Sequence, residues 1–122
     1  MESVSTNALR LTVDYDDGVI VYLNGREVAR RNVGTANTIT SHDTPATATH
    51  NANGDGGGTV SGMEEIIDIG PANTLLANGD NVIAIQMHNR TPTSSDMIAR
   101  VTLDTTGAGA RTLVGPSATA RY

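Results

Sequence analysis

Carboxylates and carboxamides at turn-like spacings are the residues best equipped to do chemistry in this chain. Asp16-Asp17-Gly18 sets two acidic side chains on a turn, which suits a ligand or a hard cation such as calcium. The same three residues also make an ordinary tight turn in which each Asp bonds its own backbone, and that reading outranks the first. Asn51, Asn53 and Asp55, with Gly56 behind them, echo the front half of a calcium loop: oxygen ligands alternate and glycine makes the bend. The leading Asp of such a loop is missing, and Gly62 stands where its bidentate Glu belongs. Glu64 and Glu65 are out of step, so a plain loop is favoured over a structural calcium site.

Catalytic groupings are harder to assemble. His42, Asp43, His50 and Asp55 lie on loop-like sequence with no helical spacing to align them, so structural or solvated roles are expected. His88 ends an apolar run and reads as a packing residue that hydrogen-bonds a nearby loop. No serine sits on a nucleophile elbow, and no glycine-rich loop follows a strand and opens a helix. Glu64 and Glu65 are neighbours, so on a strand they point to opposite faces and cannot work as a pair. The expectation is therefore a protein without catalysis and without an obligatory cofactor.

Composition narrows the partners. The 122 residues carry 13 acidic and 8 basic side chains, all of the latter Arg, for a net charge of −5. Nothing forms a basic patch, which argues against nucleic acid. No apolar run approaches the ~18 residues of a transmembrane helix, so no membrane partner is expected. The absence of Cys removes disulfides and thiolate chemistry. There is no Phe and no Trp, and the aromatics are Tyr15, Tyr22 and Tyr122. Val, Ile, Leu, Met and Ala must then build the core of one domain, and the β-branched ones favour strands.

The elements that hold these residues follow from periodicity. Leu9, Leu11 and Val13 alternate with Arg10, Thr12 and Asp14, a half-buried strand. Residues 19–23 (V-I-V-Y-L) are nearly all apolar, as in a strand covered on both faces. Asn24-Gly25 calls for a type I′ hairpin, with residues 27–33 returning as the partner and Val28 and Val33 inward. Residues 34–62 are rich in Thr, Ala, Asn and Gly; only 38–40 resemble a strand there. Order resumes over 63–69, a helical turn over 71–76 and a turn at 78–81 follow, and 81–88 (N-V-I-A-I-Q-M-H) is the best-marked strand. A further strand spans 97–103, and the tail after Asp104 is small and polar except for Leu113-Val114. Ile83, Ile85, Val21, Leu23, Leu11 and Val101 are expected deep in the core.

Three segments together carry a family resemblance: residues 16–30 (D-D-G-V-I-V-Y-L-N-G-R-E-V-A-R), residues 75–89 (L-L-A-N-G-D-N-V-I-A-I-Q-M-H-N) and Ser94-Ser95-Asp96-Met97. Their order and spacing resemble the galactose-binding-like jelly rolls that serve as accessory domains of large secreted bacterial proteins. They are similar, more weakly, to the sugar-binding domains of some glycoside hydrolases. The resemblance implies an all-β, antiparallel jelly-roll β-sandwich over residues 1–104, followed by a tail, 105–122. It also implies a non-catalytic binding module for carbohydrate or a surface polymer, located outside the cell or on a particle surface. Asp16, Asp17, Arg30 and Asp96 are the ligand-binding candidates. Relatives begin with one or two further strands before Leu9, so a sheet edge here is expected to be incomplete or filled by exchange. Its own tail or a neighbour's could fill that edge, with the neighbour's favoured. This gives the alternative function: a structural subunit of a filament, surface layer or capsid decoration, a homo-oligomer joined through sheet edge and C-terminal tail.

Overall fold

In a computed structural model of the chain, the residues described are 8–41, 43–50, 64–91 and 99–106, together with the backbone of 112–114. Strand β1, Ala8–Tyr15, buries Leu9, Leu11 and Val13 on one face, as its alternation requires. It pairs on one side with β4 (Glu65–Pro71) and on the other with β6 (Ala99–Thr105). A short β7, Thr112–Val114, adds to β6 and completes a four-stranded sheet in the order β4-β1-β6-β7. The second sheet runs β3-β2-β5, from Arg26–Arg31, Gly18–Leu23 and Ile83–His88. Every pairing is antiparallel. One helical turn, α1 (Ala72–Leu75), links β4 towards β5. The protein is an all-β sandwich.

The core lies between the sheets, where Leu9, Leu11, Val13 and Tyr15 of β1 and Val101 and Leu103 of β6 join Val19, Val21, Leu23 and Ala29. The Asn24-Gly25 hairpin has φ of 52° and 80°, the two positive values a type I′ turn needs. Asn24 also ties that turn to the loop before β5. Its Nδ2 donates to Leu75 O and Asn81 Oδ1, and its Oδ1 accepts from Val82 N at 2.8 Å.

Strand β2 is covered on both faces, as its apolar run demands. Val19, Val21 and Leu23 face the core and pair with Met87, Ile85 and Ile83. Gly18 and Ile20 face the other way, under the segment 32–50. A Cβ on Gly18 would stand 2.7 Å from Val33 Cγ2 and 3.0 Å from Ala46 Cβ. Ile20, Val33 and Ala46 are all buried there, outside the main core.

Several expectations need correction. Ile83 and Ile85 are half-buried because, among the described residues, β5 is an edge strand with β2 as its one neighbour. Val28 packs only partly against the core; a register shift in β3 near it puts Ala29 opposite Val21. Residues 38–40 form no strand, because their polar groups bond to Arg30 and Gln86 of the sheet below. The tail returns to its own chain: β7 pairs with Leu103 and Asp104. The strands therefore extend past residue 104, to a β7 that pairs with β6 of the same chain.

Candidate functional site

The Asp16-Asp17-Gly18 corner joins β1 to β2. Asp17 has a left-handed φ of 56°, which Asp tolerates better than most residues. Its side chain does not bond its own backbone. Oδ1 accepts from His50 N at 3.2 Å and Oδ2 from Arg90 N at 2.7 Å, while its backbone O accepts from Asn32 Nδ2. The Asp17 N–H donates to His50 O at 2.7 Å. Asp17 thus knots three distant loops together at one end of the sandwich, and both Asp16 and Asp17 are buried. A carboxylate enclosed by backbone donors holds loops in place and is closed to a ligand from solvent.

Arg30 is equally committed. Its Nε donates to Glu27 Oε1 at 3.0 Å, Nη1 to Val33 O and Thr40 Oγ1, and Nη2 to Glu27 Oε1 and Thr38 O at 2.7 Å. These five bonds use the full donor set of a guanidinium. The pair is buried, with side-chain exposures of 5% and 9%. The bond from Arg30 holds the Glu27 carboxyl below its usual range against the upward push of burial. Arg30 is a brace for the loop over β2 and β3, with no donor left for a ligand.

Tyr15 closes the side of the sandwich where β3 and β4 approach. Its hydroxyl donates to Glu65 Oε1 at 2.6 Å, and Arg31 Nε donates to Glu65 Oε2 at 2.7 Å. The His50 ring stacks on Tyr15 at 3.9 Å and donates from Nδ1 to Tyr15 O at 2.8 Å. Burial, then the bond to Glu65, pushes the Tyr15 hydroxyl far above its ordinary value. Burial pushes Glu65 up, but the bonds from Tyr15 and Arg31 outweigh it and hold the carboxyl low. At the far end of β5, His88 meets its expected role by donating from Nδ1 to Thr44 O at 2.6 Å.

An open groove lies on the outer face of the three-stranded sheet. Its volume is about 350 Å³, and Tyr22, Arg26, Glu27, Ile39, Thr40 and Gln86 are among the residues that line it, with Gly25, Asn37 and Thr38. Tyr22 is half-exposed. Reading residues 19–23 as one continuous apolar run put Tyr22 inside. Strand parity would have found it: if Val19, Val21 and Leu23 face the core, Ile20 and Tyr22 face away, and the covering loop reaches only Ile20. Ile39, Thr40 and Gln86 carried no comparable signal, because long-range folding brings their segments together.

Asp96, Asn51, Asn53, Asp55 and His42 lie outside the described residues. Among the described residues, no three His, Asp or Glu side chains gather in a group that could hold a metal ion. No helix among them is long and apolar enough to cross a membrane. The sequence matches no protein-family model, no curated protein and no solved structure.

Proposed function

We propose that this chain is a non-catalytic binding module of the galactose-binding-like, jelly-roll type, which holds a carbohydrate chain or similar surface polymer in the groove beside Tyr22. One observation carries the reading: a half-exposed tyrosine lines a groove whose other lining includes the hydroxyls of Thr38 and Thr40 and the amides of Asn37 and Gln86. An aromatic ring supplies the flat apolar surface that packs against the C–H face of a sugar, and the polar neighbours supply hydrogen bonds to its hydroxyls. The residue resemblance described above points the same way, and it implies a site of action outside the cell or on a particle surface. The buried bonding of Asp17 and Arg30 moves the candidate site from the loop corner to the sheet face. No metal or cofactor is needed for binding of this kind.

The test is affinity electrophoresis and calorimetry against cello-, xylo- and manno-oligosaccharides, with the parent and Tyr22→Ala. At least one saccharide should bind the parent, and Tyr22→Ala should weaken it about tenfold or more. Because Tyr22 is half-exposed, the variant should unfold close to the parent's urea midpoint. Equal affinity in parent and variant would refute the assignment.

A second reading, as a structural subunit, rests on a different feature. The outer edge of β5 bears the half-buried Ile83 and Ile85, and Val82 beside it is 64% exposed. An apolar sheet edge is a template for strand addition by another copy. Sedimentation over a range of concentrations tests it: a monomer throughout would eliminate this reading.

A further inference from the structure

Ile39 is fully exposed, at 102% of the reference surface, although the segments on both sides of it are held down. Arg30 Nη2 donates to Thr38 O at 2.7 Å and Arg30 Nη1 to Thr40 Oγ1 at 2.7 Å. Gln86 Nε2 donates to Thr40 O at 3.1 Å, and Asn37 N donates to both oxygens of Glu27. Bonds from β3 and β5 therefore staple the backbone on each side of Ile39 to the sheet. An isoleucine displayed in this way borders the same groove as Tyr22, so two apolar side chains line one cleft.

The charge of the cleft is also set. Glu27 is its acidic residue, and Arg30 and the Asn37 N–H consume that carboxylate. Arg26 also lines the groove and brings a cation to it. The remaining polar lining, Asn37, Thr38, Thr40 and Gln86, is neutral.

We infer that Ile39 is the second apolar wall of the groove, packing with Tyr22 against one pyranose ring. Arg30 is a positioning residue: it touches no ligand and sets the loop that presents Ile39. A pyranose has an apolar face on either side of its ring and hydroxyls around its rim, which suits two apolar walls with neutral donors and acceptors between them. Transfer of the exposed isoleucine side chain onto a sugar face removes apolar surface from water on both partners. The inference rests on the carbohydrate reading and deepens it by naming a second binding residue.

The experiment uses the full chain and four variants: Ile39→Ser, Ile39→Leu, Tyr22→Ala and Arg30→Lys. The probes are the neutral oligosaccharides named above, at low and high salt. Ile39→Ser should lose about tenfold in affinity for the neutral ligand, and Ile39→Leu should keep it. The urea midpoint of Ile39→Ser should match the parent's, since the side chain makes no buried contact. Neutral binding should hardly change with salt. Arg30→Lys keeps the charge and loses the fork, so it should weaken binding while Tyr22 and Ile39 are both still present. The inference is overturned if Ile39→Ser binds like the parent while Tyr22→Ala does not; the carbohydrate reading would survive that result. It is also overturned if Ile39→Ser changes the sedimentation behaviour instead of saccharide binding, which would make Ile39 a protein contact. Failure of every saccharide to bind the parent overturns both readings.

Discussion

Replacing Gly18 with alanine puts a methyl group where the loop over β2 comes closest to the sheet. The new Cβ would lie 2.7 Å from Val33 Cγ2, 3.0 Å from Ala46 Cβ and 3.1 Å from Asn32 O. Carbon atoms in comfortable contact sit about 3.5–4.0 Å apart, so the loop must lift or the strand must shift. Overpacking of this kind costs about 1–3 kcal/mol. Val33→Ala alone removes two buried methyl groups and should cost about 2 kcal/mol, from lost transfer energy and the remaining void. In the double variant the added methyl enters the space that Val33 Cγ2 has left. Its cost should then fall below the sum of the two single costs by about 1 kcal/mol or more. Ala46 and the backbone oxygen of Asn32 still crowd the site, so relief will be incomplete. The assay is urea unfolding of the four proteins, reading the midpoint with the slope held in view as a check on the denatured state. Costs that add to within ~0.5 kcal/mol would refute the packing of residues 32–50 against the outer face of β2.

Other perturbations test other parts of the structure. Ile85→Ala should cost about 1–2 kcal/mol by urea unfolding, less than the ~2–5 kcal/mol of a deep core position, because β5 is an edge strand; a larger loss would mean that something covers that edge. Asp17→Asn leaves one acceptor where His50 N and Arg90 N use two, so it should cost about 1–3 kcal/mol and speed hydrogen exchange at both amides; unchanged exchange at Arg90 would contradict the loop knot. Glu65 has a carboxyl pKa lowered by folding, so its contribution is complete above the ordinary carboxylate range and is lost as pH falls through the lower folded value. Glu65→Gln should therefore flatten the acid limb of stability against pH, modestly because the ion pair with Arg31 is about one-third exposed. The Tyr15 hydroxyl is raised, so its contribution is complete below about pH 10 and fades as pH rises further; Tyr15→Phe should remove that alkaline loss.

Much of the fold was legible along the chain because it depends on neighbours in sequence. Alternation of Leu9, Leu11 and Val13 specified which face of β1 is buried. Asn24-Gly25 specified a two-residue turn, because few pairs accept positive φ at both positions. The unbroken V-I-V-Y-L run announced a strand covered on both faces, and Pro71 and the residues after it announced a helical turn.

What the chain alone left undetermined depends on pairing between distant segments. V-I-A-I-Q-M reads as the best-marked strand, with Ile83 and Ile85 deep, yet its position at the sheet edge follows from which strands come to lie beside it, and local pattern carries no such information. Arg30 and Asp17 are polar residues on a turn or strand end, a type shared by ligand-binding and structural groups. Only the arrival of Thr38, Thr40, His50 and Arg90 turned them into buried braces. Tyr22 became a groove residue because the loop from β3 covers Ile20 and stops short of the next outward position. The stretch from Thr38 to Thr40, weak as a strand, was held by bonds from Arg30 and Gln86 that leave Ile39 in solvent. Sequence by itself determined most of the strands, the sandwich class and the buried face of β1, since hydrophobic period and turn chemistry are local. Tertiary structure decided the location of the candidate site, since a groove exists only where segments far apart in the chain meet.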